Sequence, residues 1–175
     1  MKPSFFNTKM MYGTGPFASF MQDEVRGVTI PLSKSDINLI IFMPIENKNN
    51  VNNEILGNLN KYLDIKMEKN QKAHLYIPVL VVDNTLDLGK TLESFGIKKV
   101  FTGKTAGKLF KSASIFKQLN VLKVKPLEYQ WEAEYPEDDD NKVILIDKPF
   151  VFVIKDSKTI YMAGRVDTLK GATKL

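Results

Sequence analysis

Apolar residues in the first third of the chain fall in runs separated by Gly, Asp and Ser-Lys-Ser punctuation. The runs F-A-S-F-M (17–21), V-R-G-V-T-I-P-L (25–32) and D-I-N-L-I-I-F-M-P-I (36–45) predict strands at meander-like spacing. Between Ile37 and Ile45 almost every position is apolar, which predicts a central strand covered on both faces. After the polar linker E-N-K-N-N-V-N-N, Ile55, Leu59, Tyr62 and Leu63 recur at i, i+4, i+7 and i+8. That spacing predicts a helix capped by Asn52 or Asn53, with Gly57 as its weak point. The run H-L-Y-I-P-V-L-V-V-D (74–83) is extended, and Pro78 within it marks an edge or a bend between sheets. A second helix follows, with Thr85 as N-cap, Leu88, Leu92 and Phe95 along one stripe, and Gly96 as its stop. Residues 112–124 read as extended. Two apolar strands, V-I-L-I-D-K-P-F-V-F-V-I (143–154) and T-I-Y-M-A-G-R-V (159–166), close the pattern around a K-D-S-K hairpin turn.

Composition sharpens this picture. With 175 residues and 43% hydrophobic positions, the chain is expected to form one compact unit spanning residues 1–175. Cysteine is absent, which removes disulfides, thiol nucleophiles and thiolate metal sites together. Pro3, Asn7 and Lys9 interrupt the first residues, so no signal-peptide core and no membrane partner are expected. The expected location is cytoplasmic or, by unconventional secretion, extracellular. Abundant Lys and Asn without Cys suggest the codon bias of an AT-rich genome, a hint of a viral or parasitic source.

The charge is unevenly placed. Between Glu93 and Glu128 there is no acid but there are eight lysines: Lys98, Lys99, Lys104, Lys108, Lys111, Lys117, Lys123 and Lys125. Such a block is a candidate site for heparin-like polyanions or nucleic acid, weighed against a plain solvated face. The sign then flips in P-L-E-Y-Q-W-E-A-E-Y-P-E-D-D-D-N-K (126–142). There Leu127, Tyr129, Trp131, Ala133 and Tyr135 alternate with Glu128, Gln130, Glu132 and Glu134, the period of a strand with one apolar and one acidic face. Glu137, Asp138, Asp139 and Asp140 form an exposed acidic tip.

Catalytic chemistry is poorly supplied. His74 is the single histidine, so sites needing two imidazoles are excluded, and a lone histidine on an alternating strand reads as structural. G-K-T at 89–91 lacks the leading glycine of a phosphate loop, because Asn84 stands there. G-T-G-P-F lacks the third glycine of a dinucleotide fingerprint. The four adjacent acids lack the alternation of a calcium loop. The expectation is no enzyme, no cofactor and no metal.

The C-terminal combination D-K-P-F-V-F-V-I, short turn, T-I-Y-M-A-G-R-V closely resembles the last two strands of the serpins. Upstream, T-K-M-M-Y-G-T-G-P-F, I-N-L-I-I-F-M-P-I, H-L-Y-I-P-V-L and L-E-S-F-G-I-K-K-V-F resemble further serpin segments in the family's order. The resemblance runs from about Met10 to Val166 and covers the C-terminal half of the family's domain. It implies an α+β fold of mostly antiparallel sheets, with the B and C sheets kept, the A sheet truncated, and two or three short helices: a mini-serpin. Serpin inhibitors trap a protease that cleaves their reactive loop, which then inserts as a new strand into the A sheet, and the resemblance leaves one wall of that slot out.

Residues 126–142 then occupy the hinge and reactive loop. Where trapping members carry Gly, Thr and small alanines, this chain has Glu128, Tyr129, Gln130, Trp131, Glu132 and Ala133. On insertion Tyr129, Trp131 and Tyr135 would face the core, overpacking it by about 1–3 kcal/mol per site. The resemblance therefore implies a protease-binding or immunomodulatory protein that works without the trap, with a host serine or cysteine protease or another immune protein as partner. The reactive-loop candidates are Glu128, Tyr129, Trp131, Glu134, Tyr135, Glu137, Asp138, Asp139 and Asp140. The alternative is a non-inhibitory interaction protein binding glycosaminoglycan or nucleic acid through Lys98, Lys99, Lys104, Lys108 and Lys111. Exposed sheet surface would suit a homo-oligomer.

Overall fold

The structure, a computed structural model, describes residues 10–32, 36–46, 51–69, 73–97, 117–124 and 142–169. Eleven strands and three short helices are found among these residues. They are β1 (Met10–Gly15), β2 (Ala18–Gln22), β3 (Val25–Pro31), β4 (Asn38–Pro44), α1 (Val51–Gly57), α2 (Leu59–Leu63), β5 (Glu68–Lys69), β6 (Ala73–Pro78), β7 (Leu80–Asp87), α3 (Leu88–Ser94), β8 (Lys117–Val124), β9 (Lys142–Leu145), β10 (Phe150–Lys155) and β11 (Ile160–Val166). The chain divides into two compact units, Met1–Leu80 with Val124–Leu175, and Val81–Lys123.

The larger unit is built on a six-stranded sheet of order β11-β10-β4-β3-β2-β5, antiparallel throughout. The run 36–45 is its central strand β4, and Leu39 to Pro44 are all buried, as expected of a strand packed on both faces. Register shows how. One row across the sheet is Phe20, Gly27, Phe42, Val151 and Arg165; the adjacent row, on the opposite face, is Ser19, Val28, Ile41, Phe152 and Gly164.

Each row seats a phenylalanine beside a glycine. The Phe20 ring lies across Gly27, and the Phe152 ring lies across Gly164. Glycine leaves the room that a planar ring needs to lean along the sheet, and the ring covers the backbone in return.

The first face packs against α1 and α2. Ile55 and Tyr62 enter a core cluster with Phe20, Val25, Ile40, Phe42, Val151 and Val153, while Leu59 and Leu63 pack at its margin. The i, i+4, i+7, i+8 spacing therefore identified the buried face. The helix is nonetheless two helices, broken at Asn58, whose backbone and side-chain nitrogens both donate to the Glu54 carbonyl at 3.0 and 3.1 Å. It also begins at Val51, before the expected caps Asn52 and Asn53.

A three-stranded sheet of order β1-β6-β9 belongs to the same unit, with β6 antiparallel to β1 and parallel to β9. Every residue of β6 is buried. Pro78 ends it, and Val79 carries the chain on to β7 in another sheet, so the proline marks a change of sheet. The single apolar run 143–154 is likewise two strands: β9 in the three-stranded sheet and β10 in the six-stranded one, with Ile146–Pro149 crossing between them.

The smaller unit holds α3 and most of the two-stranded sheet β7-β8. The cap of α3 is Asp87, which accepts from the Gly89 N–H at 3.1 Å; the expected cap, Thr85, lies inside β7. Gly96 does end the helix, at φ +82°. The Gly96 and Ile97 amides return to the Glu93 and Leu92 carbonyls at 3.0 and 2.9 Å, the pattern of a Schellman stop. The stripe Leu88, Leu92, Phe95 does not form a core: α3 has no buried residue, and Phe95 is 76% exposed.

Candidate functional site

Residues 125–141 connect β8 to β9. The site residues expected from the sequence, Glu128, Tyr129, Trp131, Glu134, Tyr135 and Glu137 to Asp140, lie within this connection, outside the described residues. So do Lys98, Lys99, Lys104, Lys108 and Lys111. What the structure describes is the frame at each end of the acidic connection.

Downstream, the frame is firm. Val143 and Leu145 of β9 are exposed while Ile144 and Ile146 are fully buried, so the strand alternates cleanly. It pairs with β6 from Ala73 to Tyr76, and the Ile146 amide adds a bond to the Tyr76 carbonyl at 2.9 Å. On the other side of β6, Tyr12 of β1 lies 2.6 Å from His74 Nδ1 through its hydroxyl, with the two rings stacked at 5.7 Å. Tyr76 tilts against Tyr12 at 5.0 Å.

His74 is 4% exposed, and its Nε2 is buried without a partner. The single histidine is thus held inside a sheet by a tyrosine. That agrees with the structural reading of it. Among the described residues no group of three or more His, Cys, Asp or Glu side chains could hold a metal.

Upstream, β8 is different. Lys117, Leu119, Val121 and Lys123 share one face by the period of two, and all four are exposed, Leu119 at 68%. The two lysines belong to the basic block of the sequence. Val81 and Leu86 of the neighbouring strand β7 are also exposed.

At the far end of β10 the K-D-S-K turn has its own device. The Asp156 carboxylate accepts the Lys158 and Thr159 amides at 2.6 Å each and the Tyr161 hydroxyl at 2.5 Å. The hydroxyl, followed by the two amides, holds this exposed carboxyl below the ordinary aspartate range. The same bond raises the Tyr161 phenol.

Three sheets of this topology, linked by a connection between β8 and β9, agree with the architecture expected from the family resemblance. The family model described as Serpin (serine protease inhibitor) matches residues 4–168. The chain belongs to the serpin family.

Its six-stranded and three-stranded sheets are accordingly the family's B and C sheets, and β7-β8 is its portion of the A sheet. The family is one of inhibitors rather than catalysts. Serine protease inhibitor 42Dd of Drosophila melanogaster is 27% identical in an alignment 173 positions long that covers 90% of this chain and 45% of that protein.

Among solved structures, a serpin from the trematode Schistosoma haematobium matches at TM-score 0.73 and 24% identity, over 91% of this chain and 46% of that one. Serpin48 of the insect Tenebrio molitor matches at TM-score 0.68 and 22% identity, over 91% and 45%. Thyroxine-binding globulin in complex with thyroxine matches at TM-score 0.70 and 18% identity, over 91% and 46%. The chain thus spans under half the length of these relatives.

Proposed function

We propose that this serpin chain binds a protease reversibly through residues 126–140 and does so without inserting that segment into a sheet. The partner is a host serine or cysteine protease, or another immune protein engaged in the same way. The supporting observation is connectivity. The acidic segment leaves β8, a strand of the two-stranded sheet, and enters β9 of the C sheet, the position that the family resemblance gives to the reactive loop.

Its residues argue against the trap. Tyr129, Trp131 and Tyr135 stand where an inserting strand needs small groups, and overpacking of about 1–3 kcal/mol at each would consume much of a domain stability of about 5–15 kcal/mol. Asp138, Asp139 and Asp140 suit a protease that cleaves after aspartate; Trp131 and Tyr135 suit a chymotrypsin-like one.

Incubation with a chymotrypsin-like and an aspartate-specific protease tests the reading. Reversible, saturable loss of protease activity with no SDS-stable adduct is expected. An SDS-stable adduct would restore the trap, and rapid cleavage without inhibition would make the segment a mere substrate. Trp131 is the chain's single tryptophan, so its emission reports on this segment directly. The period-two pattern expects a blue-shifted spectrum shielded from acrylamide, and a solvent-like spectrum would defeat the strand reading.

A second reading, polyanion binding, draws on Lys117 and Lys123, two exposed cations on one face of β8. Retention on heparin to well above physiological salt would favour it, and early elution would count against it.

A further inference from the structure

The β2–β3 hairpin turns through Asp23 and Glu24, both with positive φ, 51° and 63°. Two such residues make the primed turn that a two-residue hairpin requires, but neither is glycine, so the turn is strained. Directly across this hairpin Met21 pairs with Arg26. The Arg26 Nη2 donates to the Met21 sulfur at 3.5 Å, a weak bond to a weak acceptor. Its Nε is buried with no partner, an unmet donor on a charged group.

Met21 is 51% exposed, whereas Met43 is 2% exposed and Met10, Met11, Met67 and Met162 are partly buried. The most exposed methionine among the described residues therefore has its sulfur against a guanidinium nitrogen that holds only a weak acceptor.

We propose that Met21 is an oxidation site for peroxides, and that its sulfoxide is held by Arg26. In the reaction the peroxide O–O bond breaks and one oxygen bonds to the Met21 sulfur. The sulfur gives up two electrons, the proton of the transferred oxygen passes to the other oxygen, which leaves as water (as an alcohol from an alkyl peroxide), and the guanidinium keeps its protons. A sulfoxide oxygen is a far stronger acceptor than a thioether, and a bond to a charged donor is stronger still. Oxidation of a core methionine disrupts packing; here it gives Arg26 Nη2 a strong acceptor in place of a weak one and braces a strained hairpin.

The test is limited peroxide treatment followed by peptide mapping and thermal denaturation. Met21 sulfoxide should form well before Met43 sulfoxide. The melting temperature of the oxidised chain should rise by about 2–4 °C, the shift one net hydrogen bond makes in a protein of this size. Methionine sulfoxide reductase should reverse it. In Arg26→Leu the rise should vanish. Should that variant fail to fold, Met21→Gln, which puts an amide oxygen near the sulfoxide's position, should reproduce the rise without oxidant. Oxidation of Met21 no faster than Met43, a fall in melting temperature, or a rise that persists in Arg26→Leu would each overturn the proposal.

Discussion

Gly27→Ala tests the packing logic of the B sheet most directly. A Cβ built on Gly27 would lie 2.1 Å from Phe20 Cε1 and 2.7 Å from Cδ1 and Cζ. Carbon contacts settle at about 3.5 Å or more, so the ring would have to retreat by about 1.4 Å or leave its rotamer. An off-rotamer side chain costs about 0.5–1.5 kcal/mol. Retreat would also weaken the tilted contact between Phe20 and Phe42, whose centroids are 6.1 Å apart; such a pair is worth about 0.5–1.5 kcal/mol beyond its buried area. The expected loss is about 1–3 kcal/mol, the usual range for overpacking, and a fall in melting temperature of about 2–4 °C per kcal/mol.

Urea denaturation of four proteins separates this from a general loss of glycine: wild type, Gly27→Ala, Phe20→Ala and the double variant. Phe20→Ala alone should cost about 3–5 kcal/mol by emptying the core. With the ring gone, adding the methyl at 27 should cost almost nothing. A Gly27→Ala penalty of equal size in both backgrounds would refute the steric argument, and so would no penalty in wild type.

Tyr12→Phe removes the hydroxyl that partners His74 Nδ1 and leaves a buried imidazole with no partner at either nitrogen. A loss of about 1–3 kcal/mol is expected by chemical denaturation. Burial, then the nearby Glu54 charge, raises the Tyr62 phenol, so the folded state holds that proton more tightly than the unfolded chain. Its contribution is complete below the ordinary tyrosine range and is lost as pH rises through the folded value; Tyr62→Phe should therefore flatten the alkaline limb of the stability curve. Asp156 behaves oppositely: its lowered carboxyl stabilises the hairpin above the ordinary aspartate range and loses that effect as pH falls through the folded value. Acidification should lower the protection of the Lys158 and Thr159 amides, read as exchange relative to an unstructured peptide at the same pH, and Asp156→Ala should show that low protection at every pH.

What the sequence made legible was local. The run 37–45, apolar at almost every position, announced a strand buried on both faces, and β4 is one. Ile55 and Tyr62 were placed in the core by spacing alone. Gly96 stopped its helix because only a residue at ease with positive φ closes a Schellman turn. The misreadings arose where a distant partner overrode a local signal. Thr85 resembles a cap, but pairing with β8 keeps the chain extended through Asp87, which then takes the role. The run 143–154 is a different case: it serves two sheets, and Asp147, Lys148 and Pro149, which interrupt it, mark the crossing at Ile146–Pro149, a local signal passed over. Tyr12 and His74 lie 62 positions apart, so nothing local could couple them. The loop candidates, which lie outside the described residues, rest on the family resemblance alone, because acids and aromatics alternating at period two describe any half-buried strand.

The connections between sheets bear on how a bound partner would be felt. β1 passes to β2 through Pro16 and Phe17 alone, and β9 passes to β10 through Ile146–Pro149. Both edge strands of the C sheet are therefore tied by short links to strands of the B sheet. The β9 tie is reinforced where Lys148 Nζ donates to the Ile45 carbonyl beyond β4. A force or a binding event on residues 126–140 meets this cross-braced frame at its β9 end. At its β8 end it meets a strand whose Lys117, Leu119, Val121 and Lys123 are all exposed. Local opening is easiest where few side chains are buried, so amide exchange should be faster along β8 than along β9.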